Sequence, residues 1–317
     1  MIVPVLNDAP GIAACLEALL LQTYPPSRYE IIVADNGSTD GTRAVVERIA
    51  AGATGRVRLV IESAVRSSYA ARNRALQEAR GEIIACTDAD CTPTSTWLQH
   101  GVRVLVPQGT GAVAGRVDFT YRGERPNAFE YWDSAVHMNQ ERLVRRFGYG
   151  ATANLFTYAR MFERHGPFRS DLMSGGDKEF GYRLRLAGEP VSYASDAVVR
   201  HPARATLAAA FAKSLRLARA HRRLHRLGVL SSRRACARRL LQVVDCPRPM
   251  SWEGQLSSAG RAKVILLRNL DAWLSAVVCL SQETRDRVSV RRTRSGAIAV
   301  SSERPVTPTG ELPNRPS

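Results

Sequence analysis

Long apolar runs are missing from this 317-residue sequence. The most apolar late stretch, Val264 to Leu280, is interrupted by Arg268 and Asp271, so no transmembrane helix is expected. A charged segment followed by an apolar one is also missing at the amino terminus, so no signal peptide is expected. Met1 lies almost directly on the first apolar run, which places the expected start of the protein further upstream. The six cysteines (Cys15, Cys86, Cys91, Cys236, Cys246 and Cys279) form no CxxC pair and no zinc-type spacing. They read as reduced thiols in a cytoplasmic protein. Acidic residues are scarce in one region only. Residues 1–200 carry 23 Lys and Arg against 22 Asp and Glu, whereas residues 201–317 carry 22 against 7, giving net charges of +1 and +15. The balanced part reads as an enzyme body and the basic part as an appendage that meets an anion, either nucleic acid or a membrane surface.

With 44% hydrophobic residues the chain can bury a sizeable core. Short β-rich runs alternate with amphipathic segments through the first 200 residues, the pattern of an α/β fold whose mostly parallel sheet is flanked by helices. Strands are expected at Ile2–Leu6, Glu30–Ala34, Val57–Ile61, Glu82–Thr87, Gly111–Tyr121 and Val191–Val199, with an extended Gly148–Thr157. Helices are expected at Gly11–Leu21, Thr42–Ala50, Tyr69–Ala79, Trp97–Val106, Asn127–Arg145 and Phe180–Ala187. The globular domain closes at residue 202. A basic helical extension over 203–280 follows, and 281–317, polar and Arg-rich with no period, is expected to be disordered. Within the extension, Leu207, Phe211, Leu215 and Ala218 give one apolar face, and Lys213, Arg216, Arg219, Arg223 and Arg226 another. Residues 204–239 hold eleven Lys and Arg and no acid.

Two carboxylates one residue apart, Asp88 and Asp90, follow the run Glu82-Ile83-Ile84-Ala85. Asp-x-Asp at a strand end projects both carboxylates to the same side, where they can hold a divalent cation against phosphates. The same pair can also be an Asx-turn. Asn7, Asp35 and Asp88 each follow a predicted strand, and in open α/β sheets such positions converge on one ligand.

Several segments in order resemble the family 2 glycosyltransferases of GT-A fold: Val3-Pro4-Val5-Leu6-Asn7, Asp35-Asn36-Gly37-Ser38-Thr39-Asp40-Gly41, Ala70-Ala71-Arg72-Asn73, Asp88-Ala89-Asp90, and an acceptor-side block with Asn154, Phe162, Gly166-Pro167-Phe168 and Gly175-Gly176-Asp177. The resemblance covers residues 1–202 and implies inverting transfer from a nucleotide-sugar, UDP by default. It implies donor-nucleotide contacts from Pro4, Asn7, Asp35, Arg72 and Asp88. It makes Asp90 the ligand of Mg²⁺ or Mn²⁺, with His201 completing the shell. Asp177 becomes the general base, although Gly176 stands where the family carries Glu and Asn36 where an acid is usual. A capping role for Asp177 is compatible with that. Glu179 and Arg183, four apart, are expected to pair and support the base loop, with Arg183 also able to face phosphate. Phe129, Tyr131 and Trp132 read as core rather than sugar platforms, and Cys86 and Cys91 as packing residues.

Processive synthases of that family add transmembrane helices and a Gln-x-x-Arg-Trp motif, and this sequence has neither. Single-sugar transfer onto a glycan or lipid-linked acceptor is therefore the expected function, at the inner face of the plasma membrane if residues 204–239 meet anionic lipid. A nucleic-acid-binding protein is the rival that the basic region suggests, but no base-reading module accompanies it. A degenerate sugar-binding domain is the other, against which the intact Asp35, Asp90 and Asp177 argue.

Overall fold

The computed structural model describes residues 1–229, 258–260, 262–273 and 277. Its frame is an eight-stranded sheet of order β3-β2-β1-β4-β7-β6-β8-β5. The strands are β1 (Ile2–Val5), β2 (Ile31–Asp35), β3 (Val57–Ile61), β4 (Ile83–Thr87), β5 (Thr92–Pro93), β6 (Ala112–Thr120), β7 (Asn154–Tyr158) and β8 (Val191–Pro202). The first four are parallel, and right beside them β7 runs antiparallel to both β4 and β6. β6 and β8 are parallel again.

Alternation along the strands explains why helices cover both faces. Val3, Val5, Ile31 and Val33 enter one core with Ile12, Leu16 and Val46, from α1 (Ala9–Leu20) and α2 (Thr42–Gly52), and with Trp97 and Leu105 from α4 (Trp97–Gln108). Ile2, Ile32 and Ala34 enter the other with Tyr69 and Ala71 of α3 (Ser68–Glu78), with Met161 and Phe162 of α7 (Ala159–His165), and with Phe180 and Leu184 of α8 (Gly176–Leu186). A strand buried on both faces reads as a continuous apolar run, which is how β1, β2 and β4 appear in the sequence.

Three expectations need correction. The helix expected over Asn127–Arg145 is two, α5 (Ala128–Val136) and α6 (Gln140–Phe147). Met138 takes a left-handed φ of 54° between them, and Asn139 caps the second by accepting the Arg142 N–H. The extended Gly148–Thr157 narrows to β7, and a helix unseen in the sequence, α7, follows it directly. Lys213, read as part of a solvent-facing basic face, is buried. It lies on α9 (Leu207–Arg226), whose Ala210, Lys213, Ser214, Ala218 and Leu224 face the body while Leu207 and Phe211 are exposed. Lys213 goes inward because Asp133 of α5, fully buried, accepts from its Nζ at 2.7 Å. Arg204 donates to the same carboxylate from its backbone N–H at 3.1 Å. Tyr131 and Trp132 are core, as expected, and pack with Ala210 and Val264. The tail expected over 281–317 and most of 230–280 lie outside the described residues.

Candidate active site

The carboxyl ends of β1, β2 and β4 deliver the first group of side chains. Asp35 closes β2, fully buried, and its oxygens accept the Gly37 N–H at 3.2 Å, the Ser38 N–H at 3.1 Å and Arg43 Nε at 2.7 Å. Burial works against its charge, but the Ser38 and Arg43 hydrogen bonds outweigh it and hold the pKa below the ordinary carboxylate value. Gly37 sits at φ 87°, a backbone that lets the turn fold over the carboxylate. Asn7 latches the same turn: its N–H donates to Ser38 Oγ at 2.9 Å, and its Oδ1 accepts the Thr39 N–H at 2.8 Å. Pro4 is buried inside β1 opposite Ala34. Asn36, where an acid is usual in the family, is spent on structure, donating to the Glu62 and Val65 carbonyls at 2.9 and 2.8 Å.

Arg72, on α3, is almost wholly buried and pairs with Asp88 through Nη2, while its Nη1 donates to the Ser68 carbonyl at 3.3 Å. Its Nε has no partner among the described residues. The guanidinium is thus one hydrogen bond short in a buried position.

Beyond Asp88 the chain turns, with the Cys91 N–H donating to the Asp88 carbonyl at 3.1 Å. Asp90 leaves that turn with its side chain 41% exposed. Its Oδ2 lies 3.5 Å from His201 Nε2, and His201 Nδ1 is 2.8 Å from the Pro202 carbonyl oxygen. A carbonyl only accepts, so in the neutral ring Nδ1 carries the hydrogen and Nε2 turns its lone pair to Asp90. Two acceptors thus face each other, a donor set completed by a cation, with the Pro202 carbonyl orienting the ring as carbonyls do for metal-bound histidines. Burial raises the Asp90 pKa and Asp88 adds to the rise, while a protonated His201, whose Nε2 would then donate to the carboxylate, opposes it. Cys91 Sγ is within 4.8 Å of both groups. Burial pushes its thiol pKa well up, so it remains a protonated packing group and not a thiolate ligand.

The third group arrives on α8, which packs in the same core as α3. Asp177 stands inside the first turn of α8, which begins earlier than the sequence suggested, behind Gly175 at φ 80°. Its Oδ1 accepts from Tyr69 Oη at 3.3 Å and from the Lys178 N–H at 2.8 Å, and its Oδ2 has no partner among the described residues. Burial raises its pKa, with Arg72 and Tyr69 opposing and Asp88 adding to the rise. Side chains link Asp177 to Asp88: Tyr69 Oη donates to Asp177, the Arg72 guanidinium lies 5.7 Å from the Tyr69 ring centre, and Arg72 pairs with Asp88. The family's missing Glu is explained by Tyr69: a Cβ on Gly176 would come within 2.9 Å of the Tyr69 ring. Tyr69 itself was not singled out from the sequence. The signal was its position three residues before Arg72 on one helical face, where the guanidinium now sits 5.7 Å from its ring centre.

Glu179 and Arg183 do pair, at 3.0 Å. The guanidinium also donates to the carbonyls of His165, Gly166 and Pro167, at 2.8 Å for the last two. It ties α8 to the end of α7, so the expectation that it could face phosphate is replaced by a bracing role.

The family model for glycosyl transferase family 2 matches residues 1–169, more than half of the chain. The chain belongs to glycosyl transferase family 2. The glycosyltransferase AglE of Haloferax volcanii is 36% identical over 259 residues, covering 80% of this chain and 83% of that relative. Among solved structures, the mannosyltransferase PcManGT from Pyrobaculum calidifontis, in complex with GDP-Man and Mn²⁺, superposes with a TM-score of 0.57 at 21% identity, over 93% of this chain and 78% of that one. Residues 1–349 of TarS from S. aureus, in complex with UDP-GlcNAc, give 0.52 at 16% identity, over 89% and 90%. These likenesses establish the fold as GT-A-like and the protein as a glycosyltransferase. No helix among the described residues is long and apolar enough to cross a membrane.

Proposed function

We propose that this glycosyltransferase moves a single sugar, with inversion, from a nucleoside diphosphate sugar to a hydroxyl of a glycan or lipid-linked acceptor. The observation that carries the reading is Asp177: a half-buried carboxylate with a raised pKa and one oxygen without a partner among the described residues. A lipid-linked acceptor and the basic segment 204–239 together favour work at the cytoplasmic face of a membrane.

On this reading the donor nucleotide lies over the carboxyl ends of β1 and β2. Pro4 contributes the shape of the strand beneath it, and Asn7 and Asp35 set the Gly37–Thr39 turn whose exposed edge meets the base. Arg72 turns its positive charge toward the nucleotide, and Asp88, holding Arg72 in place, is the contact toward ribose. UDP remains the favoured donor nucleotide; solved structures of the same fold carry GDP-Man in one case and UDP-GlcNAc in another. Asp90 and His201 would hold Mg²⁺ or Mn²⁺, which when bound neutralises charge that builds on the departing diphosphate.

Inversion asks for a base that takes the acceptor proton as that oxygen attacks from the face opposite the leaving group. Asp177 Oδ2 takes that proton. The Tyr69 hydroxyl and the Lys178 N–H fix the other oxygen, so the carboxylate cannot swing away, and Glu179 with Arg183 holds the helix that carries it. Partial burial raises the basicity of Asp177.

The test uses Asp177→Asn, which keeps the size and can still accept the Tyr69 and Lys178 hydrogen bonds. Donor binding by thermal shift should persist, with a stabilisation of about 2.7 kcal/mol at 100 times the dissociation constant, while sugar transfer is lost. Transfer at the parental rate would remove Asp177 as the base.

A further inference from the structure

The helical residues 262–273 have one face on the body of the protein and the other uncovered. Val264 is fully buried against Ala210, Tyr131 and Trp132, and Leu267 packs beside it. A helix with one buried stripe ordinarily carries polar residues opposite. Here Leu266, Leu270 and Trp273, spaced four and three apart, are 58%, 48% and 46% exposed, and Val277, four further on and also helical, is 51% exposed. Leu207 and Phe211, which flank Ala210 on α9, are exposed as well. The same helix α9 turns Arg216 and Arg219 to solvent.

We infer that this surface is where the protein lies on an anionic lipid bilayer, with Leu266, Leu270, Trp273 and Val277 entering the boundary between headgroups and acyl chains and the arginines of α9 meeting the headgroup charge. An exposed apolar stripe with a Trp, packed beside a helix that exposes Arg, meets the requirements of an interfacial helix. Charge selects this occupant over a second copy of the chain: association through this region would bring together two segments that each carry +15 over residues 201–317. An anionic leaflet removes that repulsion and attracts each nearby Lys or Arg. The assignment moves the lipid-facing stripe from the one expected on α9, since Ala218 of that stripe is turned into the body. It deepens the membrane-face part of the proposed function and rests on it, whereas sugar transfer does not depend on it.

Co-sedimentation of the full chain with vesicles of phosphatidylcholine containing about one-third phosphatidylglycerol tests the inference. The parent should bind these vesicles and not pure phosphatidylcholine, and Leu270→Glu with Trp273→Glu should weaken binding at least about tenfold. Arg216→Glu with Arg219→Glu should also weaken it. Tryptophan emission should shift to the blue on vesicle addition, and Trp273→Phe should abolish that shift. Should the Glu pair fail to fold, Leu270→Gln with Trp273→Phe carries the same comparison. Equal binding by parent and apolar-stripe variants would overturn the inference. So would a dimer, seen by sedimentation velocity, that the stripe variants dissociate without any vesicle binding by the parent. Nucleotide release from the donor, measured on the same variants without vesicles, should be unchanged. Its absence in every variant alongside intact vesicle binding would count against the proposed function and leave the lipid surface standing.

Discussion

Asp35 is a fully buried carboxylate and Asp177 a half-buried one, and their surroundings drive them in opposite directions. Asp35 is saturated by two backbone N–H groups and Arg43, and its pKa falls. Asp177 has Tyr69 and one backbone N–H on a single oxygen, and its pKa rises. Saturation makes a rigid element that holds its neighbours; an idle oxygen with raised basicity makes a group that can accept a proton. In the proposed function the donor end is built from the first kind and the acceptor end depends on the second.

Removing the basicity of Asp177 should therefore have the largest effect. Asp177→Asn should lower the turnover number about 10²- to 10⁴-fold, with donor affinity within about twofold of the parent, read by steady-state kinetics and by titration with nucleoside diphosphate. The raised pKa also fixes a sign. The proton-accepting form is lost as pH falls through a value above that of an ordinary Asp, so activity should rise with pH along an acid limb displaced upward from the usual carboxylate range. Tyr69→Phe, which removes a hydrogen bond to the ionised form, should displace that limb further upward. A limb at the ordinary Asp value, or one that Tyr69→Phe leaves in place, would break the comparison.

Asp133 sharpens it, because it is fully buried and paired like Asp35. Burial opposes its charge, while His137, Lys213 and Arg204 outweigh burial and bring the pKa far down. Such a group is a fastener and not a base. Its charge stabilises the fold above the pKa of an unfolded Asp, and that contribution is lost on acidification through the lowered value. Asp133→Asn would leave Lys213, almost fully buried, without its counter-charge, and should cost about 3–5 kcal/mol of stability by urea unfolding at neutral pH. Loss of less than about 1 kcal/mol would mean that the cluster contributes little beyond what a surface ion pair does.

The two ends also differ in how far they could be read from sequence. The donor end is local: Asp35 and its turn, Arg72, and Asp88 with Asp90 each sit at the end of a short periodic strand or on the helix that follows it, so alternation alone brings them to one edge. The acceptor end is assembled from afar. β7 inserts antiparallel between β4 and β6, α7 hides behind it because seven residues are too few to show a period, and α8 was placed late because Gly175 and Gly176 read as loop. The Tyr69–Gly176 packing joins segments 107 positions apart in the chain, and no spacing rule reports a ring that fills the place of a missing side chain. Lys213 was misplaced for the same reason: its partner is 80 residues away.

At the donor end the expected losses are smaller because several bonds share each task. Asp35→Asn keeps one acceptor oxygen for the Gly37–Ser38 turn but loses the charge that holds Arg43. Because Arg43 is partly exposed and can turn to water, donor affinity should fall by about 1–2 kcal/mol, or roughly tenfold, with turnover nearly unchanged. A loss confined to turnover would put Asp35 in the reacting centre and not beneath the nucleotide.

Asn7 separates backbone from side chain at the smallest scale. It holds a left-handed φ of 52°, which Asn tolerates and Ala does not, and its Oδ1 accepts the Thr39 N–H. Asn7→Gly removes the hydrogen bond and keeps the backbone; Asn7→Ala removes the bond and adds a conformational penalty of about 1 kcal/mol. The Gly variant should weaken donor binding only about two- to fivefold by titration calorimetry, since Thr39 is near solvent and water replaces the lost acceptor. The Ala variant should be weaker by a further factor of about five, the penalty written as affinity. If the two were equal, the left-handed turn would not be what presents the Gly37–Thr39 edge to the donor, and the donor end would owe its rigidity to the Asp35 bonds alone.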